Sequence, residues 1–424
     1  MFDPRLLREH PEIAHRACAL KRMTVDVDAA HALACRRPAI LQELEALRAE
    51  KNRVSEEIAA KKKAREDASA RIEAMKAIGP RLKALEEELA DVEERLQGFL
   101  LAIPNLPHES VAEGGEEANR EIARWGEKPA FDFEPKPHWE LGETLGILDL
   151  PRGAKLAGSG FPLYRGLGAR LERALVSFFL DLHTQEHGFL EWFPPFLVNR
   201  AAMTGTGQLP RMEEEMYGTD KGEDLFLIPT AEVPVTNIHR NEILDGADLP
   251  LYYAAYSACF RREAGAAGKD TRGVIRVHQF NKVELVKFCA PERSWDELDS
   301  LRQAAETVLR RLGLHYRVVE LASADLSFAS AKCYDLEVWA PGVGKYLEVS
   351  SCSCFTDFQA RRSGIRFRDA DGQVRFVHTL NASGVACPRA WIAIVESFQE
   401  ADGSVRIPKV LRPYMGGLER IAAR

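Results

Sequence analysis

"YSACFRREAGAAGKDTRGVIRVHQFNKVE" (residues 256–284) decides how the chain folds. Two apolar, strand-like runs flank a loop of Gly, Ala and charge, which is the composition of a hairpin and of antiparallel pairing. Arg261, Arg262 and Glu263 stand at one mouth of the loop, Arg272 and Arg276 at the other, and Glu284 at the far end. That is more guanidinium than strand pairing needs, and the rest of the chain has to account for it.

Outward from the hairpin the pattern repeats. "EDLFLIPT" (223–230), "HYRVVEL" (315–321), "CYDLEVWA" (333–340) and "YLEVSSCSCF" (346–355) are further β-rich runs, with one helical interval, "WDELDSLRQAAETVLRRLG" (295–313). Hairpins with few crossover helices imply an antiparallel sheet in an α+β domain. Ahead of them, Leu167, Leu171, Leu175, Phe178, Phe179 and Leu182 make one face of a long amphipathic helix, followed by a short strand stopped at Pro194-Pro195. Neither a G-x-x-x-x-G-K-[ST] loop nor a strand followed by G-x-G-x-x-G occurs, so no P-loop or Rossmann nucleotide site is expected.

The first hundred residues differ in kind. Ile40, Leu44, Leu47, Lys51, Val54 and Ile58 step by four and three, as do Leu82, Leu85, Leu89, Val92, Leu96 and Phe99. These are heptad seams of two antiparallel helices, with the turn in "KKKAREDASA" (61–70). From 40 to 63 the first helix spans roughly 36 Å at about 1.5 Å per residue. Gly79-Pro80 should interrupt the second helix with a kink. Lys61, Lys62, Lys63 and Arg65 cluster near the tip, which fits either a solvated helix end or a surface for a phosphate backbone. The domains are therefore expected as a helical domain at 1–104 with its arm at about 38–100, a Pro-, Gly- and acid-rich linker at 105–124, and a larger domain at 125–424.

The 424 residues are too many for one ordinary domain, and 46% hydrophobic composition is ample for sizeable cores. A net charge of -7 argues against a general polyanion binder, so a nucleic-acid partner would meet a local basic patch. No long apolar window, secretory signal or transit peptide is present, so a soluble cytoplasmic protein that avoids membranes is expected. The eight cysteines are scattered, and "SSCSCF" is not a zinc spacing; reduced, mostly buried thiols and no structural zinc are expected.

Five strings in order, "TAEVP" (230–234), "CFRREAG" (259–265), "HQFNKVE" (278–284), "YLEVSSCSCFTDFQARR" (346–362) and "IPKVLRPYMGG" (407–417), behind a helical arm, closely resemble bacterial-type seryl-tRNA synthetases, a class II aminoacyl-tRNA synthetase family. The resemblance spans essentially the whole chain. It implies an antiparallel class II catalytic domain behind a coiled-coil arm, and a ligase that activates L-serine with ATP and transfers it to the 3′ end of tRNA(Ser), or tRNA(Sec) where one exists. Joining a carboxylate to the α-phosphate brings two anions together, so cations must hold both.

The resemblance puts Arg261 between the serine carboxylate and the α-phosphate, a task for its planar fork. Glu263 would accept from the adenine amino group, Phe280 would stack on the base, and Val277, Arg262, Val349 and Ser350 would belong to the same nucleotide site. Glu348 and Ser351 would hold Mg2+, and Arg389 the γ-phosphate. Thr230, Ala231, Glu232, Glu284, Asn381 and Ser383 would hold serine. Lys61, Lys62, Lys63 and Arg65 become tRNA contacts, and "FFLDLHTQEHGFLEWFPPF" (178–196) matches the family's first motif and implies a homodimer through it. The tip "EAGAAGKDTRG" (263–273) would switch from ATP to the incoming acceptor end. In the third motif this chain has Ala382 and Pro388 where relatives show glycine. Two other readings are a catalytically silent tRNA-binding paralogue and a ligase that loads carrier proteins. The retained arginines and acids argue against the first, and the intact arm against the second.

Overall fold

The computed structural model describes residues 1–264 and 272–422, so most of the hairpin tip lies outside the described residues. The described chain divides into two units, Met1–Leu106 and Pro107–Arg424.

In the first unit α1 (Val27–Ala64) and α2 (Ser69–Ala102) carry the heptad seams. Asp26 caps α1 by accepting from the Ala29 amide, and Arg65 ends it in the left-handed region at φ 60°. Ile40, Leu44, Leu47 and Val54 are buried with Leu82, Leu85, Val92 and Leu96 in one apolar cluster. Lys51 departs from the expected seam and is exposed. Cross-helix ion pairs Arg36–Glu88, Arg48–Glu86 and Arg71–Glu57 run in opposite chain directions, which makes the hairpin antiparallel. The interruption expected at Gly79-Pro80 is not found. The helix continues through it, as α1 does through Pro38, with Ile78 before the proline and Leu82 and Leu85 after it buried in the seam, so tertiary packing holds the turns on both sides.

The second unit is built on an eight-stranded sheet. Its strands are β1 (Arg120–Trp125), β2 (Leu190–Trp192), β3 (Leu251–Phe260), β4 (Gln279–Cys289), β5 (Tyr316–Glu320), β6 (Lys332–Ala340), β7 (Lys345–Cys354) and β8 (His378–Ala386). Their spatial order is β1-β5-β6-β7-β8-β4-β3-β2. Every neighbour pair is antiparallel except the edge pair β2 with β3, which is parallel. The stretch expected as a linker at 105–124 is not free chain: β1 pairs with β5, and the His108 amide donates to Ala331 O at 2.8 Å. Helices α3 (His138–Thr144), α4 (Leu167–Gln185), α5 (Ser294–Leu312) and α6 (Cys387–Ser397) contribute to one large core, joined by Val283, Leu285 and Cys289 of β4. Alternate β4 residues Val286 and Phe288 face a second cluster on the opposite side. Phe280, Lys282 and Glu284 share that second parity, and there the site lies. Seven of the eight cysteines are buried, Cys35 being exposed, and none forms a disulfide. Among the described residues no helix is long and apolar enough to cross a membrane.

Candidate active site

Strand alternation alone does not bring the functional side chains to one face. Glu348 and Ser351 are three apart on β7, which in a regular strand would point them to opposite sides. A register shift between Glu348 and Ser350 inserts one residue, so Leu347 before it, Val349 within it and Cys352 and Cys354 after it all enter the core. Glu348 and Ser351 then share the site face. A second bulge lies in β8 between Ser383 and Ala386. It holds Val385 at φ 109°, a conformation that β-branched residues avoid, and so stores strain beside the site. Pro388 fits because it stands at the first turn of α6, where no amide donor is missed, and Ala382 because its Cβ enters the core opposite Cys352.

An outer cavity of about 170 Å³ gathers Arg261, Glu263, Val277, Phe280, Glu348, Val349, Ser383 and Arg389. The Arg261 guanidinium lies 5.2 Å from the Phe280 ring centre, and its Nε donates to Pro229 O at 3.4 Å. Glu263 is ion-paired to Arg276, and Arg389 Nη1 donates to Glu348 O at 2.7 Å with Glu348 Oε2 at 3.4 Å. The cavity is thus a set of arginines interleaved with carboxylates, able to hold anions in two or three neighbouring positions.

Beneath it lies a second group with the opposite balance. Asn381 Nδ2 donates to Glu232 Oε2 at 3.0 Å and to Glu284 Oε1 at 2.9 Å, so one amide bridges two buried carboxylates. Gln359 Nε2 donates to Glu232 Oε1 at 2.6 Å and its own oxygen accepts from Thr379 Oγ1. Lys282 Nζ lies against Glu284 Oε2 in an ion pair that is not aligned as a hydrogen bond. Thr230 Oγ1 accepts from the Glu232 amide at 3.1 Å, and Ala231 is fully buried beside it. Burial first, then the Glu284 charge, pushes the Glu232 carboxyl up to about 7. Two carboxylates with one adjacent ammonium suit a cationic guest with hydroxyl or amine donors.

Three expected nucleotide-site residues lie apart from the cavity lining. Arg262 is exposed, its backbone amide donating to Glu215 O. Ser350 is buried and donates to Ser383 O at 2.5 Å. Ser351 Oγ is 3.1 Å from Cys333 Sγ and hydrogen-bonds Asp335, whose carboxyl is held well above the usual range by burial and the Glu348 charge. In the other unit, Lys61 pairs with Glu66, while Lys62, Lys63 and Arg65 are exposed.

Sequence reasoning gave no role to Lys282, Gln359, Asp335 or Arg276. Lys282 shares the parity of Glu284 and was legible from that alone; Gln359 reaches the pocket from a short helix, Phe358–Ser363, and had no periodic signal. On the reverse face of β4, Asn281 Nδ2 donates to Glu172 of α4 at 3.1 Å, and burial pushes that carboxyl up to about 7.

Comparison with known proteins adds independent findings. The model of the tRNA synthetase class II core domain (G, H, P, S and T) matches residues 213–398, and that of the seryl-tRNA synthetase N-terminal domain matches residues 1–107. The chain is 57% identical to the serine–tRNA ligase of Geotalea uraniireducens (strain Rf4) over 100% of both chains. It is 57% identical to that of Geobacter sulfurreducens over 99% of this chain and 100% of the other. Its fold superposes on the crystal structure of seryl-tRNA synthetase from Pyrococcus horikoshii complexed with ATP with a TM-score of 0.94, at 38% identity and with 100% of both chains covered. The cytoplasmic serine–tRNA ligase from Naegleria fowleri in complex with AMP gives a TM-score of 0.89 at 30% identity, over 100% of this chain and 99% of the other.

Proposed function

The chain belongs to the seryl-tRNA synthetase family of class II ligases, and from that premise we propose how its residues divide the reaction. The reaction is ATP-dependent joining of serine to tRNA. A serine carboxylate oxygen attacks the α-phosphorus of ATP, pyrophosphate leaves, and the tRNA 3′ hydroxyl then takes the seryl group with loss of AMP.

The observation that carries the residue assignment is the Asn381 amide bridging buried Glu232 and Glu284 beneath an arginine-lined cavity. Glu232 and Glu284 receive the serine ammonium and hydroxyl, with Thr230, Ala231, Asn381 and Ser383 closing the pocket. A site whose buried acceptors need the hydroxyl rejects alanine, since the analogue leaves them unpaired. Arg261 faces both groups: it lines the outer cavity, and its charge reaches Glu232. It bridges the reacting carboxylate and phosphate, and its fixed charge stabilises the crowded transition state. Phe280, Val277, Val349 and Glu263 take the adenine, with Arg262 and Ser350 at its margin, and Arg389 takes the terminal phosphate.

Glu348 and Ser351 offer a carboxylate and a hydroxyl on one face, oxygen donors suited to Mg2+, and Asp335 behind Ser351 can orient that hydroxyl. Bound there, the ion would neutralise charge on the ATP phosphates. The exposed Lys62, Lys63 and Arg65, with Lys61, contact the backbone of tRNA(Ser), and of tRNA(Sec) where one exists. A homodimer through residues 178–196 is supported by the exposure of Leu190 and Phe193, 57% and 76%. A cytoplasmic location accords with the lack, among the described residues, of a membrane-spanning helix. The direct test is pyrophosphate exchange into ATP with serine, alanine, threonine, glycine or cysteine. Exchange with serine alone is expected; exchange with alanine at a comparable rate would remove the hydroxyl pocket from the reading.

A further inference from the structure

Glu396 is a fully buried carboxylate on α6 with four donors. Its Oε1 accepts from the His138 backbone amide at 2.9 Å and from His138 Nδ1 at 2.8 Å. Its Oε2 accepts from the amides of Gly342 at 2.8 Å and Val343 at 3.1 Å. An anion so completely satisfied is a fixed point. His138, also fully buried, spends its other nitrogen outside this cluster: Nε2 accepts from the Val274 amide at 3.1 Å. Those two partners set the tautomer, since Nε2 can accept only if Nδ1 carries the proton.

Val274 is where the arginine-rich hairpin returns to the sheet. Just before it, Gly273 crosses the imidazole at φ 69°, so close that a Cβ there would lie 2.1 Å from Nε2. Arg272 stacks on Trp139, its guanidinium 5.0 Å from the ring centre. Beyond this platform Val274, Ile275, Arg276 and Val277 form one wall of the outer cavity. Ile275 O in turn accepts from Arg389 Nε at 3.3 Å. Arg389 and Glu396 are seven residues apart on α6, two turns along one helical face. One helix therefore grips the returning limb twice, directly through Arg389 and through His138 from Glu396.

We infer that the buried Glu396–His138 pair is a positioning device that fixes the returning limb of the hairpin as a wall of the nucleotide site. Neither residue touches a reactant; they act through the Val274 amide. This rests on the proposal that residues 274–277 face ATP.

The test uses the full chain, with serine-dependent pyrophosphate exchange read as separate KM values for ATP and serine, and with thermal midpoints. His138→Asn keeps a donor for Glu396 but cannot reach Val274, whereas His138→Gln can set an acceptor oxygen where Nε2 stands. His138→Asn should raise the KM for ATP about tenfold, the loss of one buried hydrogen bond, with the KM for serine within about twofold. His138→Gln should return most of that loss. Gly273→Ala, which leaves the pair intact and pushes the limb off it, should reproduce the KM rise. Equal ATP KM values for both His138 variants, or an unchanged KM in Gly273→Ala, would overturn the inference. Phe280→Ala, run alongside, separates the two readings: if it leaves the KM for ATP unaltered, the nucleotide assignment has failed independently of His138.

Discussion

The arm and the catalytic unit use charge in opposite ways. Along α1 and α2 the acids and bases are solvent-exposed and paired across the helices, as in Arg48–Glu86 with both side chains more than half exposed. Such pairs select the antiparallel partner more than they stabilise it, and salt screens them. In the second unit a few groups are almost fully removed from water, and each is held by several donors or left one short: Glu396 has four, while Glu284 accepts from one Asn381 amide and its Oε2 has only the Lys282 ion pair. The difference teaches where single substitutions should matter. A charge on the arm is one of many, whereas a charge in the pocket has no substitute.

The comparison is broken most directly at Arg261. Arg261→Ala should lower serine-dependent pyrophosphate exchange about a thousandfold, the scale of losing one preorganised donor at a developing charge. A loss below tenfold would return this arginine to the class of exposed, replaceable charges. Next in size is Glu232→Gln, expected to raise the KM for serine about a hundredfold, as for a lost hydrogen bond to a charged group. The same residue predicts a pH limb. With its carboxyl at about 7, acid protonates the acceptor, so in the parent the KM for serine should rise as pH falls below 7, and Glu232→Gln should flatten that limb.

Glu172 sharpens the comparison without touching substrate. Its folded pKa is raised to about 7 against an ordinary 4.5, so its stabilising contribution is complete below 4.5 and is lost as pH rises through 7. Glu172→Gln should therefore gain on the parent by on the order of 2 kcal/mol at pH 8 and by little at pH 5. Urea midpoints followed by tryptophan emission read this unit selectively, because all six tryptophans lie beyond residue 124. The smallest effect is expected on the arm. Neutralising Lys62, Lys63 and Arg65 together should leave exchange within about twofold, weaken tRNA charging by about tenfold and flatten its salt dependence by up to about three charges. Normal charging at physiological salt would remove the arm tip from the RNA surface.

Much of the fold was legible because it is periodic. The heptads announced α1 and α2, and the runs at 251–261 and 274–288 announced the central hairpin. Alternation within the second run also ordered Phe280, Lys282 and Glu284 onto one side. The failures were equally specific. Lys51 occupied a seam position and is exposed, because a heptad count records spacing and not whether an ammonium can leave the seam. The chain at 120–125 read as linker because an edge strand facing solvent needs no apolar alternation; its burial is almost wholly exposed, and its pairing with β5 comes from the backbone.

Legible in the chain itself were the heptad helices, the amphipathic helix at 167–182, most of the β-runs with their antiparallel hairpin pairing, and the strings shared with the family that hold Arg261, Glu284 and Glu348. The helices and strands follow from spacings of two and of three and a half residues, which are local properties of the chain, whereas the strings are legible only through their resemblance to the family. Only the tertiary structure decided which side chains face one another. The bulges in β7 and β8 each add one residue that no alternation forecasts, and so bring Ser351 onto the face of Glu348 and break the register between Ser383 and Ala386, just ahead of α6. Satisfying a buried charge is likewise non-local: Glu396 needs donors from residues 138, 342 and 343, and His138 needs the amide of residue 274. Partners that distant in sequence leave no periodic trace, because they are selected by the cost of an unpaired group in the folded interior.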